Sequence, residues 1–318
     1  MDSLTGPQPI IIDTDPGQDD AIAILFALGA ADYLEVRALT TVAGNVPVEW
    51  ASRNARIIRD WAERTEIPVY AGCPRPLLRD LITAEQVHGE TGLGEVQLPE
   101  PRAGLAAGSA VNFLIETLST APAGSLTICS IGPLTNIASA LVRAPRIRTS
   151  IKQIVMMGGA HFERGNITPS AEFNIHIDPD AADLVFRSGV QITVLPLDVT
   201  HQVLTTPGRL DQLFSLGNKA GKLVADILNS YQRHDMVRFG REGGPMHDPC
   251  VIGYLLNPEL FSGKTVNVAV ETSSELTLGE TVVDWHQVTD RKPNAYWVNK
   301  VDADGLFELL TEKIAHLR

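Results

Sequence analysis

Ile10-Ile-Ile-Asp-Thr-Asp-Pro-Gly-Gln-Asp-Asp20 decides how the rest of the chain is to be read. Three apolar β-branched residues in succession, Ile10 to Ile12, have the composition of a short buried strand. Pro16 and Gly17 break that strand, Gly17 permitting a tight turn, and Asp19 and Asp20 open an apolar stretch with helical spacing. The segment is therefore a strand, a turn and a helix start with four carboxylates gathered at the junction. In open α/β sheets ligands bind beyond the carboxyl ends of strands, which is where this cluster falls. If the strand continues far enough, Asp13 and Asp15 share one of its faces, because side chains alternate with period two.

The same rhythm continues downstream. Strands are expected at residues 9–13, 36–42, 126–130, 153–157 and 191–197, with helices at 19–31, 48–64, 134–143 and 181–187. Short apolar strands alternating with amphipathic helices predict an α/β fold with a mostly parallel, Rossmann-like central sheet flanked by helices. The last third departs from this pattern and is an elaborated C-terminal part. A helix is expected at 218–239, another beginning near His247, strands at 266–271 and 297–301, and a final helix at 305–316. Neither a repeat nor a low-complexity tract nor a linker interrupts the chain, so residues 1–318 are expected to form a single domain.

Composition narrows the function classes. The 318 residues are 44% hydrophobic and 20% charged, with a formal net charge of -12. That field repels phosphate backbones and anionic lipid, so nucleic-acid and membrane partners are disfavoured. Cys73, Cys129 and Cys250 are far apart and form neither a disulfide framework nor a zinc site, which points to a reducing compartment. The apolar run at residues 10–12 is too short for a signal peptide or a membrane span, and a cytoplasmic location is expected.

A carboxylate in a first helical turn often does no more than complement the helix dipole, and for Asp19 or Asp20 alone that account would suffice. It does not account for Asp13, Asp15, Asp19 and Asp20 together, because crowded carboxylates raise one another's pKa unless a cation compensates. Such hard oxygen donors suit Ca²⁺ or Mg²⁺ rather than zinc, and the spacing is not that of an EF-hand loop. Two further stretches offer complementary groups. His247-Asp248 follows Gly-Gly-Pro at 243–245, where a carboxylate could be a helix cap or a metal ligand beside a titratable ring. Residues 165–178 hold Asn166, Glu172 and Asn174, of the kind that bind sugar hydroxyls, and Phe173, which with Met157 offers apolar surface for a ribose or base. They could equally form an ordinary turn-rich loop. Asn45 lies just past the end of the expected strand 36–42.

Taken together these segments resemble the inosine-uridine-preferring nucleoside hydrolase family. The matching motifs, in order, are Asp13-Thr-Asp-Pro-Gly-Gln-Asp-Asp20, Thr41-Val-Ala-Gly-Asn45, Val87-His-Gly-Glu90, Gly132-Pro-Leu-Thr-Asn136, Met157-Gly-Gly159, Ala171-Glu-Phe-Asn174 and His247-Asp-Pro249. The resemblance covers nearly the whole chain and implies hydrolysis of the N-glycosidic bond of ribonucleosides, with Ca²⁺ as cofactor. Asp15, Asp20 and Asp248 match side-chain Ca²⁺ ligands, and Ile131 falls where the family uses a main-chain carbonyl. Asp15 also matches the general base that activates the Ca²⁺-bound water. Asp19, Asn166, Glu172 and Asn174 match ribose-binding positions, Asn45 and Met157 line the same pocket, and Asp13 orients its neighbours. His247 matches the proposed acid for the leaving base, and His88 lies on a loop near the base.

Base-contacting residues of the family fall in the stretch 231–240, where Tyr231, His234, Asp235, Arg238 and Phe239 could share a helix face. That stretch carries the full signature of neither purine- nor pyrimidine-preferring members. The resemblance further implies a homo-oligomer, often a tetramer, working in nucleoside catabolism and salvage. Two other readings compete. A haloacid-dehalogenase-like phosphatase also has Asp-x-Asp after its first strand, but Pro16-Gly17 and the second Asp pair fit that pattern poorly. A non-catalytic Ca²⁺-dependent nucleoside or sugar sensor would not need Asp15 and His247.

Overall fold

Residues Gln8–Thr14 form β1, and the chain builds a sheet on either side of it. This computed structural model describes residues 6–239 and 243–317, and the side chains of all of these except 232–239. The remaining strands are β2 (Leu34–Thr41), β3 (Val69–Ala71), β4 (Leu126–Ser130), β5 (Ile151–Met157), β6 (Ile192–Leu195), β7 (Phe261–Val266), β8 (Val268–Val270), β9 (Thr281–Val283) and β10 (Ala295–Val301). Eight of them make one sheet in the order β3-β2-β1-β4-β5-β6-β10-β7. Every pairing in it is parallel except β10 with β7, while β8 and β9 form a small antiparallel sheet apart from it. The α/β fold with a mostly parallel central sheet is thus as expected, and the C-terminal elaboration is the β7–β9 region.

The chain first grows from β1 through β2 to β3, then returns to place β4 on the other side of β1. This reversal opens a crevice at the carboxyl end of β1, the position where such sheets bind ligands. Register puts Asp13 level with Thr40 of β2 and Ser130 of β4, so the acidic turn emerges between those two strand ends.

Alternation along the strands sorts the core into two layers. Ile10 and Ile12 belong to a hydrophobic cluster with the helix Gln18–Gly29, whereas Ile11 packs on the opposite face with Ile128, Ile154, Met156 and Trp297. All 12 residues of Gln18–Gly29 are buried. A helix apolar all round must be enclosed, and this one is packed by the helices Val48–Trp61, Lys219–Phe239, Pro249–Leu256 and Ala303–Ala315. The acidic turn is therefore held from both directions, by a central strand before it and a central helix after it.

Element boundaries shift where local chemistry intervenes. The strand expected at 191–197 stops at Leu195, because Pro196 ends the ladder and a short helix, Leu197–Thr200, follows. The strand expected at 266–271 divides at Asn267 into β7 and β8, which belong to different sheets. The helix expected from near His247 begins at Pro249, with Asp248 as its N-cap residue. β3 and the helices Ala110–Thr120 and Pro207–Ser215 had no expectation attached to them.

Candidate active site

The site grows from β1. Asp13 turns into the sheet: its Oδ2 accepts hydrogen bonds from Thr40 Oγ1 at 2.5 Å and Asn136 Nδ2 at 2.9 Å. Asn136 also donates to Thr41 O and accepts from Cys73 N, so it knits the ends of β1, β2 and β3 together. Burial pushes the Asp13 carboxyl up to about 7 despite these bonds. Asp13 thus ties β1 to Thr40 of β2 and to Asn136, while its Oδ1 is buried with no hydrogen-bond partner among the described residues.

Asp15 is fully buried at the carboxyl end of β1, behind the residues that line the pocket described below. One oxygen, Oδ2, accepts Asn45 N–H at 2.6 Å, while Oδ1 is buried with no hydrogen-bond partner among the described residues. The carboxylate is enclosed by two glycines, Gly44 after β2 and Gly132 after β4; a Cβ on either would collide with it. Both glycines are required here for space, since neither has the positive φ that favours glycine. Asp20 closes the turn as a helix-capping carboxylate, accepting from Thr14 Oγ1 at 2.6 Å, Gly17 N at 2.9 Å and Asn45 Nδ2 at 3.1 Å.

Asp19, Asp20 and Asp248 each present an oxygen within 4.8 Å of the others, and all three are buried. Asp248 is carried to them by the start of the helix Pro249–Leu256, which packs on Gln18–Gly29. Burial, followed by the charges of Asp19, Asp20 and Asp15, raises the Asp248 carboxyl well above its ordinary range. Asp15 is raised likewise, by burial and then by the charge of Asp20, and Asp20 by burial against its hydrogen bonds. Such a group of buried acids calls for positive charge, and its all-oxygen donor set fits a hard divalent cation. The unpartnered Asp15 Oδ1 beside it strengthens the fit. The resemblance had implied Asp15, Asp20, Asp248 and the Ile131 carbonyl as ligands; the compact trio brought together here contains Asp19 in place of Asp15. The Ile131 carbonyl accepts Asn174 Nδ2 at 3.3 Å and lines the same pocket.

That pocket is lined by Asp19, Asn45, His88, Ile131, Met157, Asn166, Glu172, Phe173, Asn174, Tyr231, His247 and Asp248. Glu172 caps the short helix Phe173–Ile177, accepting from Asn174 N and Ile175 N, and also accepts Gly159 N at 3.0 Å. Its burial pushes the carboxyl up to about 7. Asn174 reaches back to the carbonyls of Ile131 and Met157, and Asn166 Oδ1 accepts Phe173 N. His88 stacks on Tyr231 with ring centroids 5.5 Å apart, and its Nδ1 accepts Gln18 N. His247 Nδ1 lies 2.8 Å from Thr200 Oγ1. The side chains of His234, Asp235, Arg238 and Phe239 lie outside the described residues.

Ala84, Gln86, Ile167 and His201 also line the pocket, as does Val87 of the Val87-His-Gly-Glu90 motif, and none of the five was given a site role from the sequence. His201 could have been found, since it follows β6 as Asn45 follows β2, and strand ends are where such sheets carry function. Ala84 and Gln86 carried no such signal, because they come from the long connection between β3 and β4.

A sequence model of the family described as inosine-uridine preferring nucleoside hydrolase matches residues 10–308. An uncharacterized protein of Schizosaccharomyces pombe is 49% identical over 308 residues, which cover 97% of this chain and 99% of the relative. The pyrimidine-specific ribonucleoside hydrolase RihA of Salmonella gallinarum is 43% identical over 309 residues, covering 97% of this chain and 98% of the relative. Among solved structures, the purine-preferring ribonucleoside hydrolase from Gardnerella vaginalis superposes with a TM-score of 0.90 at 34% identity, covering 98% of this chain and 99% of that one.

Proposed function

The chain belongs to the inosine-uridine preferring nucleoside hydrolase family, and on that premise we propose that this pocket hydrolyses the N-glycosidic bond of ribonucleosides with Ca²⁺ bound among its acids. The observation that carries the reading is one pocket in which a buried carboxylate group adjoins the amide and carboxyl groups of Asn166, Glu172 and Asn174. Asp15, Asp20, Asp248 and the Ile131 carbonyl would hold the ion, with Asp19 beside them. When bound, Ca²⁺ would supply Lewis acidity toward a water molecule and coordination for ribose hydroxyls.

The chain's own groups account for the rest. Asn45 N–H fixes Asp15 through Oδ2, leaving Oδ1 placed to take the proton of the attacking water. Cleavage develops positive charge on the ribose, as in other glycoside hydrolyses. Asp19 and Glu172 supply carboxyl groups beside it, while Asn166 and Asn174 orient the hydroxyls. His247, its ring set by Thr200, gives a proton to the departing base. His88, Tyr231 and Phe173 offer rings for the base to pack on, and the stretch from Tyr231 through His234, Asp235 and Phe239 reads its identity.

Uridine and cytidine are the expected better substrates, since the 43% identical relative is named pyrimidine-specific. Purified protein should release ribose from them, lose that activity on exhaustive chelation, and regain it with Ca²⁺. Full turnover in metal-free protein would sink the metal assignment, and no ribose from any of uridine, cytidine, inosine and adenosine would sink the reaction. The resemblance also supports a homo-oligomer, which light scattering tests; among the described residues no helix is long and apolar enough to cross a membrane.

A further inference from the structure

The turn after β6 carries more of the pocket than its few residues would imply. Asp198, in the short helix Leu197–Thr200, accepts three successive backbone N–H groups through Oδ1: His161 at 3.0 Å, Phe162 at 2.9 Å and Glu163 at 2.8 Å. Its Oδ2 accepts the indole N–H of Trp297 at 2.7 Å, which anchors the whole assembly in the core. The loop after β5 is thereby fixed against this turn, and Glu163 on that loop meets the residue at the turn's end. Glu163 Oε2 lies 2.8 Å from His201 Nδ1. His201 lines the pocket, with its ring centroid 5.7 Å from that of His247.

The two histidines have different partners. His247 Nδ1 meets the neutral hydroxyl of Thr200, whereas His201 Nδ1 meets a carboxylate. An ionised carboxylate only accepts, so Nδ1 of His201 is the ring nitrogen that donates to Glu163. With Nδ1 committed to Glu163, the other ring nitrogen is Nε2, on a ring that lines the pocket beside His247.

We propose that His201, paired with Glu163, is a second acid for the leaving base, acting beside His247. The proposal rests on the reading that this pocket cleaves an N-glycosidic bond. In the step, the C1′–N bond breaks and its electron pair stays with the base. A proton passes from Nε2 of His201 to a nitrogen or oxygen of that base. The water that bonds to C1′ gives its own proton to Asp15. His201 is left neutral and is reprotonated from solvent at the rim where Glu163, 42% exposed, lies. Glu163 is a positioning residue, holding the ring and its charge.

The test compares wild type, His201→Gln and Glu163→Gln on uridine and on 4-nitrophenyl riboside, whose leaving group departs without protonation. The quantity read is the ratio of kcat for uridine to kcat for the aryl riboside. It should fall about 100-fold in His201→Gln, the low end of what general acid catalysis supplies, and less, about 10-fold, in Glu163→Gln, where the acid itself is kept, with KM for uridine little changed. A ratio equal to wild type in both variants overturns the proposal. Should His201→Gln fail to fold, Glu163→Gln decides alone, its side chain lying at the surface. Wild-type protein inactive on both substrates would instead overturn the underlying reading, so the two failures are told apart.

Discussion

Asp15 and Glu172 are both buried acids, yet their surroundings give them different work. Asp15 has one oxygen tied to Asn45 N–H and the other without a partner among the described residues, which is the arrangement of a group meant to receive something. Asp15→Asn keeps the shape but can neither take a proton nor offer full charge to a cation. It should lose most turnover, on the order of 10²-fold or more, with an unchanged circular dichroism spectrum; near-normal kcat in a folded variant would refute the assignment. Glu172, by contrast, is saturated with backbone N–H donors and still pushed from 4.5 up to about 7, because burial outweighs them. The folded protein therefore keeps this proton where the unfolded chain has lost it. The stabilisation is complete below about pH 4.5 and is lost as the pH rises through about 7. Between about pH 4 and about pH 8 the stability of wild type relative to Glu172→Gln should fall by roughly 3 kcal/mol. Urea titrations in chelator at the two pH values measure it, and a pH-independent difference would show that Glu172 ionises normally.

The junctions between elements are where sequence and geometry meet most tightly. Gly44 follows β2 and Gly132 follows β4, and each leaves the space that the Asp15 carboxylate occupies. Gly44→Ala should therefore displace that carboxylate rather than unfold the sheet. Overpacking of this kind costs about 1–3 kcal/mol, and a shift of about 1 Å at a reacting group costs about 10²-fold in rate. Thermal melts and kcat measured together check it; a variant of normal kcat would mean that Gly44 is not needed for space. These junctions were legible because strand, turn and helix start each have a local signature, as in Ile10 to Asp20. Where the signature is short or broken, legibility failed. β3 has three residues, too few for any period to show. The 266–271 run has valine at every second position, as a single strand would, but passes from one sheet to another at Asn267, a change only the partner strands reveal. The pairing of His201 with Glu163 was hidden for the same reason, since nothing near residue 163 in the chain announces residue 201.

Across the whole molecule, the sheet reversal at β1 is what gathers scattered polar residues into one pocket. Asp19 comes from the first helix, Asn166, Glu172 and Asn174 from the connection after β5, and Asp248 from a helix start in the last third. In the proposed reading more of these groups face the ribose than the base, and Asp19, Glu172, Asn174 and Asp248 are buried. Loss of the 2′-hydroxyl would leave at least one buried polar group without its ligand, and buried unpaired groups cost more than lost contact area does. Sites built around a substrate hydroxyl reject analogues lacking it by on the order of 10⁴-fold. The penalty should fall on kcat as well as KM, because in the proposed mechanism the same contacts set C1′ against the water that Asp15 deprotonates. The measurement is kcat/KM for uridine against 2′-deoxyuridine, repeated with inosine against 2′-deoxyinosine. A large ratio in both pairs would tie the selectivity to the sugar regardless of which base the helix Lys219–Phe239 favours. Ratios near one in both pairs would mean that the carboxylate and amide groups at the β1 crevice do not hold the ribose, and the sugar would have to be placed elsewhere in the pocket.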